Sequence, residues 1–122
     1  MDANPITDDT SLMLSKMLEM TFERQKVISN NLANVNTPGY IRQEVDFELQ
    51  MKKLIEAGDI SGLEDLKANI TKDLKNPVRL DGNNVDIGME INELMENSLS
   101  FNLLGRAYKT RMNILRTAIQ GR

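Results

Sequence analysis

The sequence contains no cysteine, no histidine and no tryptophan. Without cysteine there are no disulfides, no thiolate nucleophiles and no cysteine-based zinc sites. Without histidine the usual neutral-pH general base and the commonest metal ligand are both missing. An active site would have to rest on carboxylates, Lys, Ser, Thr or Tyr alone, so the expectation is a protein that is not an enzyme and uses no cofactor or metal. Aromatic residues make up only 4% of the chain. No apolar run approaches the ~20 residues of a membrane span. The net charge of −3 is too small to argue for nucleic acid or an anionic membrane as partner.

What is present suits helices. Apolar residues are 40% and charged residues 27% of the 122 positions, ordinary for one folded domain. Six of the eight methionines (Met13, Met17, Met20, Met89, Met95 and Met112) fall on the two stretches predicted as terminal helices. A core of Leu, Ile and Met with few rings favours helix-on-helix packing. The fold class expected is mainly α: long N- and C-terminal helices pairing as a coiled-coil-like hairpin, with a small mixed middle of short helices and a possible β-hairpin.

The chain divides into 1–40, 41–86 and 87–122, one structural unit in three parts. The start, Met1-Asp2-Ala3-Asn4-Pro5, has neither the basic nor the apolar region of a cleavable secretory signal. Asp8-Asp9-Thr10-Ser11 offers N-caps. Leu14, Leu18, Thr21, Gln25, Ile28 and Leu32 then keep alternating spacings of four and three, with Met17, Met20 and Val27 widening the stripe, so a helix is predicted over 11–33. It must stop before Pro38, which disfavours helical geometry at Thr37. Thr37-Pro38-Gly39-Tyr40 carries the residues of a type II turn. Asn34 or Asn36 is expected to supply a left-handed C-cap.

In the middle part, Phe47 to Ala57 forms a short helix ended by Gly58. Ser61-Gly62-Leu63-Glu64 matches a capping box, with Leu63, Leu66, Ile70 and Leu74 down one face of the helix that follows. Val78 to Val85, with Asp81-Gly82-Asn83-Asn84 inside it, predicts a short hairpin. The same run does not fit an EF-hand loop, because Val85 falls where an oxygen ligand is needed. A turn followed by an N-cap at Asp86 is the better reading.

The last part has the strictest pattern. Ile87, Ile91, Leu94, Ser98, Phe101, Gly105, Tyr108, Met112, Leu115 and Ile119 keep a four-three spacing, and eight of the ten are apolar. This is the 3.5-residue repeat of a left-handed coiled coil. Ser98 and Gly105 share a heptad position, where small residues let another backbone approach closely. A helix over 87–120 is ~50 Å long against ~34 Å for 11–33, so the longer one overhangs its partner by ~15 Å. Its exposed remainder is a contact surface for other chains. Glu90, Glu93 and Glu96 lie near its start and are expected on a solvated face. Arg106, Lys109, Arg111, Arg116 and Arg122 lie near its end, with no acid after Glu96. The polarity complements the helix dipole. Complementarity between stacked subunits would use the same charges.

Asn31, Ala33, Asn34, Thr37, Pro38, Gly39 and Tyr40 carry a signature of the form Asn-x-Ala-Asn-x-x-Thr-x-Gly-aromatic, directly after an amphipathic helix. This resembles the N-terminal signature of bacterial flagellar axial proteins. Leu80-Asp81-Gly82-Asn83-Asn84-Val85-Asp86, Glu96-Asn97-Ser98-Leu99 and Met112-Asn113-Ile114-Leu115-Arg116-Thr117-Ala118-Ile119 are similar to segments of the small rod subunits. The resemblance covers 11–47 and 78–122 and is to the flagellar basal-body rod protein family, nearest its B-type proximal members. It implies a structural subunit of the hollow drive shaft, in the periplasmic rod, exported by the flagellar type III apparatus without signal cleavage. The implied partners are other rod subunits, copies of itself, the basal-body adapter and export-gate components. The implied assembly seam is Leu14, Leu18, Ile28 and Leu32 with the heptad row from Ile87 to Ile119. The alternative is a soluble helical-bundle adaptor or regulator that dimerises through its last helix.

Overall fold

The computed structural model describes residues 8–121; the polar start at 1–7 and Arg122 lie outside them. The chain is mainly helical. Helix α1 spans Asp9–Ala33, strand β1 Gln43–Asp46, helix α2 Glu48–Ala57, helix α3 Ile60–Asp65, strand β2 Asn69–Lys72 and helix α4 Ile87–Gln120. The two long helices pack against each other, and the two strands form an antiparallel pair with Val45 opposite Ile70.

Helix α1 begins where Asp8 accepts a hydrogen bond from the Ser11 amide at 2.8 Å, which satisfies one of the free amides of the first turn. It presents two faces. Met20 and Val27 are buried against Val45, Phe47, Met51, Leu63 and Leu66 of the middle part. Met20 and Val27, which widen the stripe in the sequence, therefore belong to a second face. Thr21, Gln25 and Asn31 meet α4. The pairing is antiparallel: Asn31 meets Glu90, Thr21 and Gln25 meet Asn97, and Asp8 pairs with Arg111. Nine residues of α4 follow Arg111, ~14 Å of helix beyond the level of Asp8.

The middle part is tied to α1 by cations with long apolar stems. Arg24 stacks over the Phe47 ring, 4.7 Å from its centroid, and donates to the Val45 carbonyl at 2.7 Å. The buried Lys16 ammonium donates to the carbonyls of Glu64 and Leu66 at 2.9 and 3.0 Å. It thereby satisfies acceptors at the C-terminal end of α3 that the helix itself leaves open.

Three local expectations are corrected. The C-cap of α1 is Asn34, but with φ −106° it is not left-handed. Its side chain donates to the Asn30 carbonyl at 2.8 Å instead, and the positive φ falls at Gly39, +76°, inside the turn closed by Tyr40 N–H to Thr37 C=O. Helix α3 is only six residues long and is capped by Asp59, which accepts from the Gly62 amide, rather than by Ser61. Leu63 and Leu66 are buried, but Ile70 sits in β2 and Leu74 is 83% exposed, so the four do not share a helical face. Strand pairing overrides the local helical pattern there. Val78 to Val85 forms no strand. Gly82, at φ +84°, turns the loop, which closes on itself through Arg79 N–H to Asn83 C=O at 2.8 Å and Gly82 N–H to Arg79 C=O at 2.9 Å; the Asp81 carbonyl accepts from the Gly39 amide at 2.8 Å, so the turn is also tied to the exit of α1 instead of extending into paired strands.

The corrected core has a direct test. Leu63→Ala should lower unfolding free energy by about 2–5 kcal/mol, while Leu74→Ala should change it by less than about 0.5 kcal/mol. Urea denaturation followed by circular dichroism measures both. Equal losses would restore a common helical face.

Candidate functional site

The densest chemistry lies where the exit of α1, strand β1 and the start of α4 converge. Arg42 follows the turn closely enough that its side chain enters the interior, 1% exposed. Its guanidinium pairs with Glu90 and Glu44, with Asp73 at 3.0 Å, and with Glu93 at 2.9 Å. Asp73 follows β2, and Glu90 and Glu93 lie on α4, so one cation joins the strand pair to the long helix. The planar, permanently charged guanidinium suits this multidentate role; an ammonium would not.

Asparagines complete the junction. Asn31 is fully buried. Its Nδ2 donates to the Gln43 carbonyl at 2.9 Å and to Glu90 Oε2 at 3.2 Å, and its Oδ1 accepts from the Gln43 amide and the Tyr40 hydroxyl, each at 2.9 Å. Every hydrogen-bonding position of the amide is used. Asn83 donates to the carbonyls of Asn34, Val35 and Thr37. Asn84 Oδ1 accepts from the Arg42 amide at 2.7 Å, and its Nδ2 donates to the Asp73 carbonyl at 2.8 Å. The loop before α4 is thus sewn to the loop after α1.

The charges respond to this packing. Burial pushes the Asp73 carboxyl up, but the Lys75 amide, the Arg42 guanidinium and the Asn76 amide outweigh it and hold it at about 2. Burial dominates at Glu93 and raises it, against the pull of Arg42 and with the repulsion of Glu90 and Glu44. Burial also raises Tyr40. The Arg111 bond lowers Asp8.

Of the signature residues, Asn31 is buried, Asn34 and Tyr40 are half-buried, and Ala33, Thr37, Pro38 and Gly39 are exposed. Of the α1 seam, Ile28 is buried, and Leu14, Leu18 and Leu32 are half-buried. On α4, Leu94, Ser98, Gly105, Tyr108, Met112 and Leu115 are half-buried, whereas Ile87, Ile91, Phe101 and Ile119 are 40–56% exposed. The residues α4 buries completely are Glu90 and Asn97. Glu90 was expected on a solvated face with Glu93 and Glu96; only Glu96 is fully solvated. Sequence reasoning also missed Arg42, Glu44, Asp73 and Lys16. A lone Arg before Gln43-Glu44-Val45-Asp46 carries no local mark of burial. On its outer side α4 exposes Ile87, Ile91, Met95, Leu99 and Leu103, an unbroken row at spacing four, which is a ridge of the kind that packs into a groove of another helix.

Comparison with known proteins agrees with these features. Residues 22–40 match the model of the flagella basal body rod protein family. The flagellar basal body rod protein FlgB of Borreliella burgdorferi is 32% identical, covering 73% of this chain and 79% of that one. Those of Yersinia enterocolitica and Escherichia coli are 29% and 28% identical, covering 80% and 82% of this chain and 87% and 88% of theirs. The family match spans the second half of α1 and the turn through Tyr40, the segment that supplies Asn31 to the junction.

Two outcomes test the junction. Asn31→Ala strands buried partners at Gln43 and Tyr40 and should cost about 2–4 kcal/mol in urea unfolding. Acid should act through Asp73: its folded pKa lies below its unfolded value, so its stabilisation is intact above about pH 4 and is lost as pH falls towards 2. Glu93, raised by burial, works in the opposite direction. Unfolding free energy measured from pH 5 to 2 should therefore fall less steeply in Asp73→Asn than in the unaltered chain. An unchanged slope would remove Asp73 from the acid response.

Proposed function

The chain belongs to the flagellar basal-body rod protein family, and from that premise we propose that its assembly seam combines the half-buried heptad row of α4 with the apolar ridge that α4 exposes. As a family member it is a structural subunit of the basal-body rod and serves motility by assembling with other rod subunits. No helix among the described residues is long and apolar enough to cross a membrane. With the family established, a free-standing adaptor drops out as a reading.

The carrying observation is the row Ile87, Ile91, Met95, Leu99 and Leu103, each 44–66% exposed along one helix. A patch of that length on a small protein marks a contact surface. On this reading the pairing of α1 with α4 covers part of the seam within the chain, and neighbours cover the rest. Leu14, Leu18, Ile28 and Leu32 hold α4 in place, while Ile87, Ile91, Phe101 and Ile119 face other subunits. The signature turn from Asn31 to Tyr40 fixes the direction in which the chain leaves α1. Further partners in the same reading are copies of the chain, the basal-body adapter and the export-gate components. Export through the flagellar apparatus without signal cleavage belongs to it as well.

Gly105 sharpens the reading. A Cβ built there meets nothing within 4 Å among the described residues, and an interior helical Gly costs roughly 1 kcal/mol against Ala. None of the described residues requires its small size, which supports close approach by a neighbour. Gly105→Leu should leave the purified chain folded and no less helical, yet abolish swimming and remove the chain from isolated basal bodies. Full motility of the variant would take Gly105 out of the seam.

A further inference from the structure

A groove of about 380 Å³ lies between β1 and α4. Its walls carry Glu44, Asp46, Glu48, Glu93 and Glu96 against a single cation, Arg24. Glu44 and Glu93 are committed to Arg42, and Glu48 to Arg24 at 2.6 Å. Asp46 and Glu96 have no ion-pair partner among the described residues, so the groove keeps an excess of negative charge.

A second observation is independent of the acids. Asn97 lines the same groove and is 4% exposed. Its Nδ2 is fully used, donating to the Thr21 carbonyl at 2.8 Å and to Gln25 Oε1 at 3.0 Å. Its Oδ1 is buried without a donor among the described residues. An orphaned acceptor of this kind needs a donor from elsewhere. Donor-rich cations satisfy an acceptor and neutralise carboxylates together. No acidic cluster among the described residues is built to hold a metal ion, which leaves an extended basic side chain as the fitting ligand.

The chain carries such side chains on α4. Arg106, Lys109 and Arg116 are exposed, form no ion pair among the described residues, and follow each other at spacings of three and seven, along one helical face. At about 3.6 residues per turn, that face lies on roughly the opposite side of α4 from Glu93, Asn97 and Ser100. A chain therefore cannot satisfy its own groove with its own stripe. We propose that the groove receives the basic stripe Arg106–Lys109–Arg116 of a second copy of the chain. Two complementary patches on opposite sides of one molecule make a heterologous contact, which propagates from copy to copy instead of closing as a two-fold dimer. The inference rests on the rod reading above and names a self-contact within it.

The absence of native cysteine makes the test clean. Ser100→Cys places a thiol on the groove wall, and Asn113→Cys places one within the basic stripe. Basal bodies are isolated from cells whose only copy of the gene encodes both changes, and are treated with a short bismaleimide. The expected result is a ladder of linked copies that neither single-cysteine chain produces. Glu96→Lys or Lys109→Glu, added alone, should cut the ladder about tenfold, and both together should restore most of it. A chain present in basal bodies that gives no ladder overturns the self-contact and leaves the rod reading standing. So does a linked product containing a different protein, or equal linking by a single-cysteine control. A chain missing from the basal bodies overturns both.

Discussion

One buried guanidinium organises the molecule. Arg42 meets four carboxylates contributed by β1, by the segment after β2, and twice by α4. The strands, at four residues each, are too short to hold their neighbours by apolar contact alone. The apolar core sits elsewhere, between α1 and the middle part. Without Arg42, Glu90 and Asp73 would be buried acids without a counter-ion, a situation that costs several kcal/mol. The strand pair, the loop before α4 and the start of α4 therefore depend on a single charge that cannot be titrated away.

A polar joint has consequences that an apolar one would not. Hydrophobic seams tolerate sliding, whereas Asn31 uses all four of its hydrogen-bonding positions and Asn97 bonds a particular carbonyl. A shift of α4 by one residue would strand several of these groups at once. The register of the two long helices is thus set by Asn31, Glu90 and Asn97 more than by the leucines. For a subunit that must present the same surface in every copy, a fixed register is more useful than a large core.

Much of the backbone was legible from sequence. Asp8, Gly58 and Asp86 mark helix ends by short-range chemistry, and the four-three spacing marks both long helices. Legibility failed where a residue's environment depends on distant chain. Ile70 and Leu74 continue the helical pattern of Leu63 and Leu66, yet pairing with β1 draws 69–72 into a strand. Glu90 has the same local setting as Glu96, and only the position of Arg42, 48 residues earlier, buries one and leaves the other solvated. Val78 to Val85 has hairpin chemistry and does turn on itself between Arg79 and Asn83, but its ends are tied to the exit of α1 and no strands flank the turn. The signature around Asn31 was recognisable as a pattern, while its physical work, joining Gln43, Tyr40 and Glu90, became visible only once the chain had folded.

The two long helices differ in how completely the chain uses them. Helix α1 is covered on two sides, by the middle part and by α4, and its buried positions are filled from within. Helix α4 packs along α1 and otherwise meets the fold only through polar contacts near its start, such as those of Arg42; it buries just Glu90 and Asn97 completely, leaving Ile87, Ile91, Met95, Leu99 and Leu103 in solvent. The polar contacts hold its position, and the apolar ones remain uncommitted. That separation permits a subunit to be correctly registered before assembly while keeping the larger share of hydrophobic free energy for its neighbours. Incorporation into the rod would then be driven by burial that the isolated chain cannot achieve, and guided by a surface whose geometry Arg42 and Asn31 have already set.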